Sequence, residues 1–206
     1  MIESPWYRGQ VQQVRRIPAR EARYEQPEHG LPDSLWDMLA REGVEQLYLH
    51  QARGVDCAAD GQDFVVVTST ASGKTYCYVL PIFRSLLEDS QATALLVYPT
   101  KALAQDQLRL VRRLEDRCEP LSALAGTYDG DTPTELRRKL RDEASVIHTN
   151  PDMLHQGILP NHSRGPWPEK LDPGFLWKWT SSKGRLQLWK QGISRRKICR
   201  RNTRRS

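Results

Sequence analysis

One stretch, Asp63-Phe64-Val65-Val66-Val67-Thr68-Ser69-Thr70-Ala71-Ser72-Gly73-Lys74-Thr75, limits what this chain can fold into more than any other. A β-branched apolar run that breaks into small residues and then Gly-Lys-Thr spells a buried strand, the loop after it and the start of a helix, the local pattern of a phosphate-binding loop. Small residues from Ser69 to Gly73 let the backbone curl so that successive N–H groups meet one anion. The helix expected over 76–87 adds the positive end of its dipole. Lys74 would then contact the β- and γ-phosphates, and the Thr75 hydroxyl would take one position on Mg²⁺. ATP with Mg²⁺ is the expected cofactor, held by Thr70, Ala71, Ser72, Gly73, Lys74 and Thr75. The spelling departs from the commonest one at Thr68, where Gly or Ala is usual, and at Ala71, where glycine is frequent; the flanking strand and helix carry the assignment.

The pattern repeats downstream. Ala94-Leu95-Leu96-Val97-Tyr98 reads as a buried strand, followed by Pro99-Thr100-Lys101 and a helix over 102–114 with Leu103, Leu110 and Leu114 on one face. A weaker strand over 121–125 leads to Gly126-Thr127-Tyr128-Asp129-Gly130-Asp131. There Thr132-Pro133-Thr134-Glu135 spells a capping box that opens a helix to about 141. Ser145-Val146-Ile147-His148-Thr149 is a further strand, ending at Asn150-Pro151-Asp152. Strands alternating with helices of this length imply an α/β fold with a parallel sheet flanked by helices, and ligands gather at the carboxyl ends of such strands. Upstream, Pro32-Asp33-Ser34 caps a short helix with Leu35, Trp36, Met38 and Leu39 on its apolar side, and residues 1–30 read as an irregular arm. Gln51, about twenty residues before the phosphate loop, carries an amide that can meet an adenine edge with one donor and one acceptor.

Charge divides the chain. Residues 1–162 hold 18 basic and 23 acidic side chains, whereas residues 163–206 hold 13 basic and 2 acidic ones, so the pI near 9.3 belongs to the tail. Basicity therefore says nothing about what the folded part binds. No apolar run approaches a membrane span, and the first residues lack the layout of a secretory signal. Cys57, Cys77, Cys118 and Cys199 are scattered without a Cys-x-x-Cys pair, as expected for reduced thiols in a cytoplasmic protein.

Taken in order, these loops resemble the first RecA-like domain of superfamily 2 helicases of the DEAD/DEAH-box kind. Leu47-Tyr48-Leu49-His50-Gln51 looks like that family's adenine-reading glutamine motif, and Thr70-Ala71-Ser72-Gly73-Lys74-Thr75 like its motif I. Pro99-Thr100-Lys101-Ala102-Leu103-Ala104-Gln105-Asp106-Gln107 is similar to motif Ia, and Thr149-Asn150-Pro151-Asp152-Met153-Leu154 to the motif that contacts the bound strand. The spellings look closest to the MrfA/YprA-type helicases, a branch associated with DNA repair. The resemblance covers residues 47–162 and is specific as a set. It implies that Thr100, Lys101, Gly130, Thr149 and Asn150 touch the sugar-phosphate backbone of one strand, with DNA favoured over RNA. No membrane is expected as a partner, and no obligate protein partner is evident in the sequence.

The family's next element is a strand ending in an Asp-Glu pair, whose Asp holds Mg²⁺ and whose Glu activates the attacking water. After Ser163 the acids are Glu169 and Asp172, with no apolar strand before either, and no second RecA-like domain follows. Lys74 is thus a phosphate contact without a complete catalytic set, and the expectation is ATP binding with little hydrolysis and no unwinding. Three segments are expected: an arm and short helix over 1–43, a partial helicase ATP-binding domain over 44–162, and a basic, Trp-rich, disordered tail over 163–206. The abrupt change near Ser163 or Arg164 reads as a departure from the helicase reading frame or as a truncated gene. The alternative is a non-enzymatic nucleic-acid-binding protein acting through that tail.

Overall fold

A computed structural model describes residues 8, 13, 21–69, 71–161, 175–180 and 185–189. In chain order its elements are α1 (Asp33–Arg41), α2 (Leu49–Ala59), β1 (Phe64–Val67), α3 (Tyr76–Glu88), β2 (Ala94–Val97), α4 (Lys101–Glu115), β3 (Ala125–Thr127), α5 (Thr134–Glu143) and β4 (Val146–Thr149). A short helix α6 (Pro151–Met153), a π-helical turn (Leu154–Ile158) and a 3-10 turn (Leu159–Asn161) follow, and then β5 (Phe175–Thr180) and β6 (Arg185–Trp189).

The six strands form one sheet in the order β1-β6-β5-β2-β4-β3. β2 pairs in parallel with β4 and β5, and β3 in parallel with β4, so the loops after these strands emerge at one rim. β6 runs antiparallel to both β1 and β5. The sheet is therefore not wholly parallel, and chain length gives the reason. Only residues 181–184 link β5 to β6, which suffices for a hairpin, whereas a parallel return needs a crossover of about a dozen residues or more.

Two apolar clusters flank the sheet. On one face, Ala94 and Leu96 of β2 and the adjoining Tyr98 share a cluster with Leu35, Val55, Leu80 and Val111 of α1, α2, α3 and α4. The other buries Leu95, Val97 and Ile147 beneath Leu140 and Ala144. This alternation is what a strand covered on both faces imposes.

Several expectations change. The helix α1 forms where the sequence places it, but its Leu35, Met38 and Leu39 are fully buried in the same cluster as α3, so it is part of the core. Neither α1 nor α5 carries the expected cap. Pro32 and Pro133 precede them with no side-chain bond, and Thr132 hydrogen-bonds Thr127 and Asp129 instead of opening α5. Local loop bonds outcompeted the helix end. Strand β1 is half open: Val65 and Val67, on one face, are 51% and 63% exposed, whereas Val66 on the other face is buried in the core. Within the stretch read as a disordered tail, β5 and β6 enter the sheet; Phe-Leu-Trp-Lys-Trp-Thr and Arg-Leu-Gln-Leu-Trp are rich in residues that suit a pleated surface. Thr70, Glu169, Asp172, Cys199 and the basic run over 190–206 lie outside the described residues, as does most of the arm over 1–20.

Candidate nucleotide and strand-binding site

The phosphate loop leaves β1 and turns into α3 through two left-handed residues, Ala71 at φ +58° and Gly73 at φ +71°. Glycine adopts that region freely, whereas an alanine there carries strain of about 1 kcal/mol or more. The turn gathers the loop over the start of α3, where Tyr76 N donates to the Gly73 carbonyl at 3.1 Å and Cys77 N to the Lys74 carbonyl at 3.0 Å. Lys74 is 9% exposed and its ammonium donates to the Ser69 carbonyl within its own loop. Among the described residues no carboxylate forms a salt bridge with it. A nearly buried cation answered by a backbone carbonyl, at a helix start, fits a polyphosphate: the anion supplies the charge that the fold withholds. Thr75, one residue on, is partly exposed at the mouth of α3 and stands where a hydroxyl can serve a phosphate-bound cation.

The loop is tied to α2 from behind. His50 donates from Nε2 to the Ser72 carbonyl at 2.9 Å, which fixes the ring as the tautomer protonated at that nitrogen or as the cation. Gln51 is 2% exposed; its Oε1 accepts from Tyr48 N at 2.9 Å and its Nε2 donates to the Gly73 carbonyl at 3.0 Å. A Cβ on Gly73 would lie 2.5 Å from that Nε2, so only glycine allows both the turn and the clamp. Among the described residues each end of the amide makes one hydrogen bond, of the two it can make. The sequence singled out Gln51 but not the role of His50, which no spacing rule marks.

The other rim loops collect the remaining candidates. Thr100 caps α4, its hydroxyl accepting from Leu103 N at 3.2 Å, and Asn150 caps α6, accepting from Met153 N at 2.9 Å. Thr149 is buried and donates to the Tyr128 carbonyl at 2.7 Å. The Tyr128–Asp131 turn is organised by Asp129, whose buried Oδ1 accepts from the backbone N–H groups of Asp131 at 2.9 Å and Thr132 at 3.1 Å. Lys101 and Asp131 are paired at 2.7 Å across the rim, which raises the Lys101 pKa through that hydrogen bond. Arg137 donates to the Gly130 carbonyl at 2.7 Å. Thr100, Lys101, Gly130, Thr149 and Asn150 are thus brought to one rim. The pairing of Asp131 with Lys101 and the bond from Arg137 to Gly130 were not anticipated, because they are set by the loop's fold rather than by neighbours in sequence.

A phosphate loop after an edge strand, with three further loops on the same rim of a mostly parallel sheet, defines a RecA-like core of the P-loop NTPase kind. A family model of DEAD/DEAH box helicases matches residues 48–171, and the chain belongs to that family. It is 43% identical over 162 residues to the ATP-dependent helicase hrq1 of Schizosaccharomyces pombe, a match covering 77% of this chain and 15% of that protein. It is 39% identical over 148 residues to the ATP-dependent helicase YprA of Bacillus subtilis, covering 72% of this chain and 20% of the other. Among solved structures it resembles the DUF1998 helicase MrfA bound to DNA and AMPPNP, with a TM-score of 0.71 and 37% identity over 77% of this chain and 22% of that one. The chain therefore spans roughly a fifth of the length of these relatives. No helix among the described residues is long and apolar enough to cross a membrane.

Proposed function

We propose that this chain binds Mg²⁺-ATP in the loop around Gly73 and Lys74 and a single nucleic-acid strand across the rim formed by Thr100, Lys101, Gly130, Thr149 and Asn150. The observation that carries the reading is Lys74, a cation held almost out of water whose hydrogen-bond partner among the described residues is its own loop's Ser69 carbonyl. Ala71, Ser72 and Gly73 present the loop backbone, with Thr70 completing it; Lys74 meets the β- and γ-phosphates; Thr75 meets the cation. Bound Mg²⁺ would supply charge neutralisation between the phosphates. Gln51 offers its remaining donor and acceptor to the adenine edge while holding Gly73.

Strand binding is read as backbone-directed, since helix caps, amide groups and one lysine face the rim and none of these distinguishes bases. DNA is favoured over RNA, because MrfA, at 37% identity, was solved with DNA. A cytoplasmic setting suits Cys57, Cys77 and Cys118, all free thiols.

Hydrolysis and unwinding are not expected of this chain by itself. Among the described residues no Asp or Glu follows Asp152, and β5, which reaches the rim beside β2, ends Lys178-Trp179-Thr180. Among the described residues no carboxylate stands at that strand end to activate the attacking water. Phosphate release measured with and without single-stranded DNA, beside a strand-displacement assay, is expected to stay at background. Unwinding by the purified chain, sensitive to Lys74→Ala, would overturn this.

A further inference from the structure

Over the turn at Gly130 an ammonium and a carboxylate of this chain already meet. Lys101 Nζ donates to Asp131 Oδ2 at 2.7 Å, across 30 residues of sequence, and the same Nζ lies 3.5 Å from where a Cβ on Gly130 would stand. Lys101 is the first residue of α4, where the helix dipole disfavours a cation and favours an anion. A lysine at that position does nothing for the helix by itself and is well placed to hold an anion at the rim.

The pair is not what shapes the turn. Asp129 Oδ1 accepts from the N–H groups of Asp131 and Thr132 and from the Thr132 hydroxyl, and Arg137 holds the Gly130 carbonyl. None of these bonds uses the Asp131 side chain. Both members of the pair are open to water, Lys101 45% and Asp131 74% exposed, and an ion pair so placed adds little to stability and is easily broken. A phosphate arriving at Thr100 and Gly130 would seek the same ammonium. Two anions on one ammonium stand close enough to repel each other, so the site favours one at a time.

We propose that Asp131 is an anion built into the rim, which occupies Lys101 while the rim is empty and is displaced by a backbone phosphate of the bound strand. The proposal rests on the strand binding given above. Asp131 then sets how firmly the strand is held at this point. A phosphate that reaches Lys101 must first win it from the carboxylate, and the carboxylate, once released, remains on a fixed turn beside the phosphate.

The test reads Lys101 itself, so binding through the basic residues 190–206 does not enter. The full chain is treated briefly with acetic anhydride over a series of oligo-dT concentrations, and acetylation of Lys101 is followed by mass spectrometry in the wild type, Asp131→Asn and Glu135→Gln. Glu135 is an exposed acid in the first turn of α5, and among the described residues no salt bridge joins it to Lys101. Its variant removes the same charge without freeing the lysine. In the absence of strand, Asp131→Asn is expected to speed acetylation of Lys101, because the hydrogen bond to Asp131 raises the pKa of that amine. An unchanged rate would mean that the pair does not form in the free chain, which overturns the proposal. The strand concentration that half-protects Lys101 is expected to fall about 3- to 10-fold in Asp131→Asn and less than about 2-fold in Glu135→Gln. An equal fall in both would overturn the proposal, since loss of any nearby acid would then suffice. No fall, or a rise, in folded Asp131→Asn would also overturn it and make Asp131 a group that orients the lysine; the proposed strand binding would then stand. A strand that protects Lys101 in none of the three chains would remove both.

Discussion

His148 sits in β4 fully buried, with neither ring nitrogen hydrogen-bonded among the described residues. Burial first, and then the Arg112 guanidinium, lowers its pKa from 6.5 to about 3. A histidine kept neutral in the fold binds fewer protons than in the unfolded chain between those two values. The stability it allows is complete above pH 6.5 and is lost as pH falls toward 3, by at most about 1.4 kcal/mol per unit. His148→Phe keeps an aromatic ring against Tyr98 and removes the titration. Urea midpoints followed from about pH 6.5 to about pH 4.5 are expected to fall less steeply for this variant than for the wild type; equal slopes would contradict the neutral, unpaired ring. At this scale the sequence was most legible where chemistry is local. Gly73, Lys74 and Thr75 announce an anion site by their own order, whereas His148 reads as one more strand residue and its stacking on Tyr98 is visible only once β2 and β4 pair.

Among the elements, α5 is the most lightly held. Its one buried residue is Leu140, which covers Gly126 of β3 so closely that a Cβ there would strike the leucine. Arg137, one turn from the helix start, holds the Gly130 carbonyl, so α5 also carries the Asp129–Asp131 turn that faces Lys101. Leu140→Ala is expected to cost about 2–5 kcal/mol in urea unfolding. It should leave the Lys74 loop intact, so AMPPNP affinity should be unchanged in the folded variant. A loss below about 1 kcal/mol would show that α5 docks by other means. The sequence located α3, α4 and β4 to within a few residues because their apolar residues are regularly placed, and α5 from the Thr132-Pro133-Thr134-Glu135 signal at its start. It misplaced the caps, since Thr132 found partners in its own turn. It also read β5 and β6 as a tail, because their basic and aromatic composition hides a pairing made with β1 and β2 far away in the chain.

For the molecule as a whole, one sheet places four loops at one rim and leaves β1, with Val65 and Val67 open, at its edge. The phosphate loop therefore hangs from a half-open strand and owes its geometry to α2 and α3. His50 and Gln51 hold its Ser72 and Gly73 carbonyls, and Gly54 lets α2 approach Cys77 to contact distance. Everything proposed for the rim depends on that loop gripping phosphates. The most direct measurement is the calorimetric affinity of the purified chain for AMPPNP with Mg²⁺, wild type beside Lys74→Ala, with folding of both checked by circular dichroism. Removing a charged hydrogen bond of this kind is expected to weaken binding by roughly 10- to 150-fold. A folded wild type that binds no nucleotide, or a Lys74→Ala variant that binds as tightly as the wild type, would contradict the phosphate-binding role of the loop.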